Sequence, residues 1–180
     1  GLGLGPGMAS VVVEEINRAG GDAAVINAQM ALSGVLVRDG SKRQRERYLR
    51  PIASGELRLL TVAATEPDSG ADMSRLRSTA RRDGKGWVID ANKVFASLAE
   101  HTRLLILLVR TEQGPTLFLL DLEEVGDRIE LHPIQMIANR LTTTLFIDAL
   151  RVPDSARLGP VGGGRLSIFH STLLGGLGLR

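Results

Sequence analysis

No cysteine occurs in these 180 residues, which excludes disulfides and thiolate metal sites and suits a reducing compartment such as the cytoplasm. Aromatic residues are scarce: four Phe, one Tyr and one Trp. That is too few to interleave with basic residues as a base-stacking surface needs. Neither sign of charge dominates. Twenty-two basic against 20 acidic residues leave a formal charge of +2, which argues against nucleic acid as the partner. No apolar run reaches the roughly 18 residues of a membrane span. The chain is nonetheless 43% hydrophobic, so a core is easily built. A single body of this size buries roughly 70% of its unfolded surface.

Three textures follow one another. Residues 1–55 are helical. Pro6 suits a first helical position, and Met8, Val12 and Ile16 repeat on one face. "GGD" at 20–22 stops that helix and offers Asp22 as the cap of the next, where Ala23, Ile26, Met30 and Val37 fit a buried stripe. "SKRQ" at 41–44 reads as a capping box for a third helix that runs to Ser54 and ends at Gly55. Residues 56–158 are β. Short runs ("LRLLTVAA", "STARRD", "GWVIDANKV", "LLILLV", "TLFLLDL", "RIELH", "TTLFIDAL") recur between turns at Asp83-Gly84, Gly114-Pro115 and Gly126-Asp127. This spacing predicts an antiparallel barrel or sandwich, with "LLILLV", apolar on both faces, at its centre. Residues 159–180 form a glycine-rich linker and a helix carrying Leu166, Phe169, Leu173 and Leu177. The fold class is α+β: a helical N-terminal segment, a β-barrel or sandwich, and one C-terminal helix. Glycine stands first and a lone apolar helix stands last, the plan expected of a piece of a longer protein.

Most motifs resolve to bland readings. "GLGLGPG" lacks the preceding strand of a dinucleotide fingerprint and the Gly-Lys-Ser/Thr of a P-loop, so it is a loop leading into a helix. "KRQRERYLR" spreads its charges on the solvent side of a helix while Tyr48, Leu49 and Ile52 turn inward. His101, His132 and His170 lack partners at metal spacing, and no Gly-x-Ser-x-Gly elbow occurs. No metal site is expected. Trp87, in a hairpin, is read as packing.

Two stretches stand apart, "VAATEPDSGAD" and "NKVFASLAEH". Each interrupts a β-run with small or hydroxyl residues where a packed strand would want bulk. Pro67 stops ladder pairing, and Gly70 permits close approach of backbone to a ligand. Backbone amides at such strand ends can satisfy a ring's carbonyls, Thr65 and Ser97 add hydroxyls, and Phe95 offers a stacking face worth about 0.5–1.5 kcal/mol. The residues support two readings: a site for a planar heterocycle, or an ordinary loop beside an ordinary core Phe.

The order of motifs resembles the acyl-CoA dehydrogenase family. "GSKRQRERYLRPIASGELR" resembles its helix-to-barrel passage, and "TEPDSGAD" its Thr-Glu-Pro-x-x-Gly-Ser-Asp loop. "NKVFASLAEH" occupies the place of its Lys-x-Trp-Ile-Thr/Ser segment, and "PIQMIANRLTTTLFIDALRVPDSARLG" that of its closing strand and exit. The resemblance covers residues 1 to about 175. It implies the end of an N-terminal helical domain, a middle β-domain, and the start of a C-terminal helical domain, with FAD between the last two.

By that resemblance, Val62, Ala63, Ala64 and Thr65 lie along the pyrimidine edge of the flavin. Gly70 and Ala71 approach flavin and acyl-CoA. Phe95 stacks where the family has Trp, Ala96 follows it, and the Ser97 hydroxyl reaches toward N5. Ala71 departs from the family's Ser or Thr and removes a hydroxyl from the substrate side of the loop. The implied reaction is α,β-dehydrogenation of an acyl-CoA thioester: a carboxylate removes the α-proton, hydride passes from the β-carbon to flavin N5, and electrons go on to an electron-transfer flavoprotein. The family's base is a glutamate on its C-terminal helices. No catalytic residue is therefore assigned here, and Glu14, Glu15, Glu66 and Glu100 do not match that position. A homo-oligomer, dimer or tetramer, is implied for the whole protein, and this stretch by itself is expected to bind FAD poorly. The alternatives are a non-catalytic partner subunit of the same fold and a flavin monooxygenase on the same architecture.

Overall fold

The computed structural model describes residues 6–137 and 141–168. Three helices come first: α1 (Pro6–Arg18), α2 (Ala24–Asp39) and α3 (Lys42–Ser54). Their ends follow local chemistry. Ser41 Oγ accepts from Gln44 N at 3.2 Å, and Gln44 Oε1 accepts from Ser41 N at 2.8 Å, so the capping box is present. Gln44 then donates from Nε2 to the carbonyls of Ser155 and Arg157, tying this helix start to the β-region. Gly55 ends α3 in the left-handed conformation (φ 80°) that glycine adopts without a Cβ penalty. Asp22 accepts from Ala24 N at 2.8 Å, but α2 begins one residue later than that cap implies, with Ala23 as the flanking residue.

The expected helical stripes are corrected by the packing. Met8 and Val12 of α1 are exposed, and Val13 is the buried residue. In α2, Ile26, Met30 and Val37 are exposed, while Leu32, Val35 and Leu36 face inward. This helix is apolar nearly all round, so periodicity fits more than one face; the buried face is the one that lies against the sheet.

Eight strands follow: β1 (Leu59–Ala63), β2 (Thr79–Asp83), β3 (Gly86–Ser97), β4 (Leu104–Thr111), β5 (Gly114–Asp121), β6 (Ile129–Ile134), β7 (Thr142–Pro153) and β8 (Arg157–Leu158). A single helical turn, α4 (Leu122–Val125), lies between β5 and β6. They form one sheet of order β6-β7-β3-β2-β4-β5-β8, with β1 also paired to β4. Most pairings are antiparallel, but β1 and β2 both run parallel to β4. The short β8 went unnoticed in the sequence.

Trp87 on β3 and Phe118 on β5 meet edge to face with ring centroids 5.6 Å apart. Two strands separate β3 from β5, and a flat sheet would hold them roughly 14 Å apart, so the sheet curls tightly. One face encloses Ala80, Ile89, Leu105, Leu107, Phe118, Leu145 and Leu150. On the other face Leu104, Ile106, Leu108 and Leu117 pack against Leu36, Tyr48 and Ile52 of α2 and α3. Strand β4 feeds both cores, which explains its unbroken apolar run. Trp87 packs as expected, and its Nε1 donates to Asp154 Oδ1 at 2.8 Å. Residues 164–168 restart a helix; Leu166 is exposed there, whereas Phe169, His170, Leu173 and Leu177 lie outside the described residues.

Candidate functional site

Lys93 is wholly buried although it sits in the middle of a strand. Side chains of β3 alternate, so Trp87, Ile89, Ala91 and Lys93 all point to the enclosed face. A cation placed there requires a buried partner. Glu66 supplies it, with Oε1 2.6 Å from Lys93 Nζ. Lys93 also donates to the Ala64 carbonyl at 3.2 Å. The Glu66 carboxylate accepts in addition from Arg77 N at 2.6 Å and Ser78 N at 3.0 Å. One carboxylate thus joins the start of the 64–78 loop, its end, and strand β3.

Burial would raise the Glu66 carboxyl, but the donors on Lys93, Ser78 and Arg77 outweigh it and hold it below its ordinary 4.5. Burial lowers the Lys93 ammonium from 10.5 to about 8, with Glu66 offsetting part of the effect. Both groups are charged near neutrality.

Within the loop, Glu66 and Ser69 exchange backbone hydrogen bonds (2.8 and 3.2 Å), closing a tight Glu-Pro-Asp-Ser turn. Arg77 pairs with Asp68 at 3.2 Å across it. Asp72 accepts from Ser74 N at 3.0 Å and caps the short turn Met73–Arg75; the Ser74 donors hold its carboxyl below the ordinary range.

Strand β3 breaks register with β7 between Lys93 and Ala96. Val94 N turns instead to the Thr65 carbonyl at 2.9 Å. Phe95 takes φ 57°, a conformation rare for a bulky residue, and the residue is 56% exposed. Leu98 is left-handed too, at φ 62°. A bulge of this kind re-aims a side chain. A buried Thr61 donates from Oγ1 to the Ser97 carbonyl at 2.9 Å, and Thr143 donates to the Ala96 carbonyl at 3.1 Å.

The structure therefore sets residues 61–66 beside 93–97. Val62, Phe95 and Ser97 are exposed there, and Ala64 and Thr65 are half-buried. Ala63 and Ala96 are buried in the core, each 1% exposed. Gly70 and Ala71 are exposed beyond the turn, where Ala71 borders a recess of about 480 Å³ that Arg110 and Arg165 also line. Glu66 and Lys93, which hold the arrangement, were absent from the sequence-derived set. The available signal was a lysine at an inward position of an alternating strand. His101 is exposed, and among the described residues no group of His, Asp or Glu could hold a metal ion. No helix among them is long and apolar enough to cross a membrane.

Comparison with known proteins identifies the family and the fold. A family model described as "Acyl-CoA dehydrogenase, middle domain" matches residues 61–146, and one described as "Acyl-CoA dehydrogenase, N-terminal domain" matches residues 1–56. Acyl-CoA dehydrogenase FadE12 of Mycobacterium tuberculosis (strain ATCC 25618 / H37Rv) is 30% identical over 166 residues, covering 88% of this chain and 42% of that protein. (R)-benzylsuccinyl-CoA dehydrogenase of Thauera aromatica is 35% identical over 130 residues, 68% of this chain and 32% of that one. The solved "Tcur3481-Tcur3483 steroid ACAD" superposes with a TM-score of 0.88 at 27% identity, covering 99% of this chain and 47% of that chain. The chain spans less than half the length of these relatives.

Proposed function

Since the chain belongs to the acyl-CoA dehydrogenase family, we propose that it supplies the β-domain side of an FAD site in an enzyme that dehydrogenates an acyl-CoA thioester between its α and β carbons. The observation that carries this reading is the bulge at Phe95, which turns an aromatic ring outward beside the Thr65 backbone and the Ser97 hydroxyl.

The residues fit a flat, polar-edged group. Val62, Ala64 and Thr65 offer a strand end for its edge, Phe95 a face, and Ser97 a hydroxyl, while Ala63 and Ala96 are buried behind them. FAD bound there supplies the hydride acceptor. The chain's own part is orientation: Thr65 is fixed by Val94, Ser97 by Thr61, and the Phe95 face is set before anything binds, so little ordering cost remains. Gly70 and Ala71 lie on the side from which the thioester would enter, and the neighbouring Arg110 and Arg165 suit its phosphates. We place the base on another part of the protein, because Glu66 is held by Lys93 and two amides. An electron-transfer flavoprotein as acceptor and a homo-oligomeric assembly belong to the same proposal. A second reading, a non-catalytic subunit of this fold, is favoured only by Ala71, whose side chain has no hydroxyl.

The test is optical. The protein expressed from its gene, supplied with FAD, should show oxidised-flavin absorbance that an acyl-CoA bleaches without oxygen. Absorbance without bleaching would favour the non-catalytic reading, and no absorbance at all would reject the flavin site.

A further inference from the structure

We propose that the buried Lys93–Glu66 pair is a positioning device for the Phe95 edge: it holds Thr65 against Val94 and so maintains the bulge that turns Phe95 outward. The inference rests on the flavin reading for its purpose, but its geometry stands apart from any ligand.

Strand β3 leaves its ladder with β7 one residue after Lys93. From there the segment is held from the opposite side, by Val94 N on the Thr65 carbonyl. Thr65 lies between two residues that the pair immobilises. Ala64 before it accepts from Lys93 Nζ, and Glu66 after it accepts from the same nitrogen. The carboxylate is itself anchored by the Arg77 and Ser78 amides, and Ser78 Oγ accepts from Asn92 N at 3.2 Å, closing a circuit back to β3. Strained backbone persists only where its surroundings over-determine it: here one ammonium and one carboxylate act on the side before Phe95, while Thr143 and Thr61 hold the Ala96 and Ser97 carbonyls after it. Phe95, at φ 57°, is itself more than half exposed.

Lys93 and Glu66 are thus positioning residues acting through Thr65 and Val94, and a bulk stability role would not produce the same signature. The test compares the wild-type chain with Glu66→Gln and Lys93→Met by amide hydrogen exchange and by the backbone coupling constant of Phe95. Loss of hydrogen bonds to a charged group should accelerate exchange at Val94, Arg77 and Ser78 by about ten- to a hundredfold. Amides of β4 and β5 should slow or quicken only with global stability. The Phe95 coupling should shift from its left-handed to an extended-strand value. In folded Glu66→Gln, acceleration at Val94, Arg77 and Ser78 no greater than that at β4 and β5, or an unchanged Phe95, would overturn the assignment. Failure of both variants to fold would overturn it as well, by making the pair a general structural requirement. Adding FAD separates the two claims. If wild-type resonances at 62–65 and 95–97 ignore FAD while the exchange pattern holds, the flavin reading fails and the positioning role stands.

Discussion

Replacing Lys93 with Met should destabilise the protein by about 3–5 kcal/mol, the usual result of leaving one member of a buried ion pair without the other. Glu66 would keep its two backbone donors but lose the ammonium at 2.6 Å, inside a core that excludes water. Domains have only about 5–15 kcal/mol in hand, so urea unfolding of this variant should begin well before that of the wild type. The double variant Lys93→Met/Glu66→Gln should recover part of the loss, because a neutral amide is less costly to bury than an unpaired carboxylate and still offers one acceptor. Additive losses would contradict the pairing. The acid limb follows from linkage. Glu66 has a folded pKa below 4.5, so its stabilisation is complete above 4.5 and is lost as pH falls through the lower folded value. Glu66→Gln should flatten that part of the pH–stability curve. Lys93 acts in the opposite sense: the cost of burying its ammonium is full below about pH 8 and is relieved as pH rises toward 10.5.

Phe118→Ala should cost about 3–5 kcal/mol for a different reason. Phe118 is fully buried, pairs with Leu107 in the ladder, and meets the Trp87 ring edge to face. Truncation leaves a cavity inside the curled sheet, and strands on both sides limit its collapse. The midpoint in urea should fall while the slope of the transition stays near that of the wild type. A loss under about 1 kcal/mol would mean that this part of the core is looser than the ring packing implies.

Local chemistry made the helix ends legible in the sequence. Ser41 with Gln44, and Gly55, specify caps through neighbours within a few residues, and those caps occur where expected. Short runs set off by turn residues located seven of the eight strands as well, and the two-sided apolar run of β4 marked its central place. What failed was the choice of face on α1 and α2. A helix as apolar as α2 gives several acceptable stripes, and only the sheet decides that Leu32, Val35 and Leu36 are the buried ones. The parallel pairing of β1 and β2 with β4 is likewise a matter of connections, not composition.

At the candidate site, the two loops are legible as interruptions that carry hydroxyls and a single aromatic ring. The clamp beneath them is not. Glu66 and Lys93 stand 27 residues apart, and neither has a local partner that would advertise the pair. The left-handed Phe95 carries no residue-type signal, unlike a glycine in the same conformation. Both features arise from long-range contacts, which is why the sequence suggested the surface but not what holds it.

The claim everything depends on is that the ends of β1 and the β3 bulge form one face for the flavin ring. Titrating the labelled chain with FAD and mapping backbone amide shifts tests it directly, since weak binding suffices. Shifts concentrated at 62–65 and 95–97, with β6 unmoved, are the expected result. Shifts centred elsewhere, or none at saturating FAD, would contradict it.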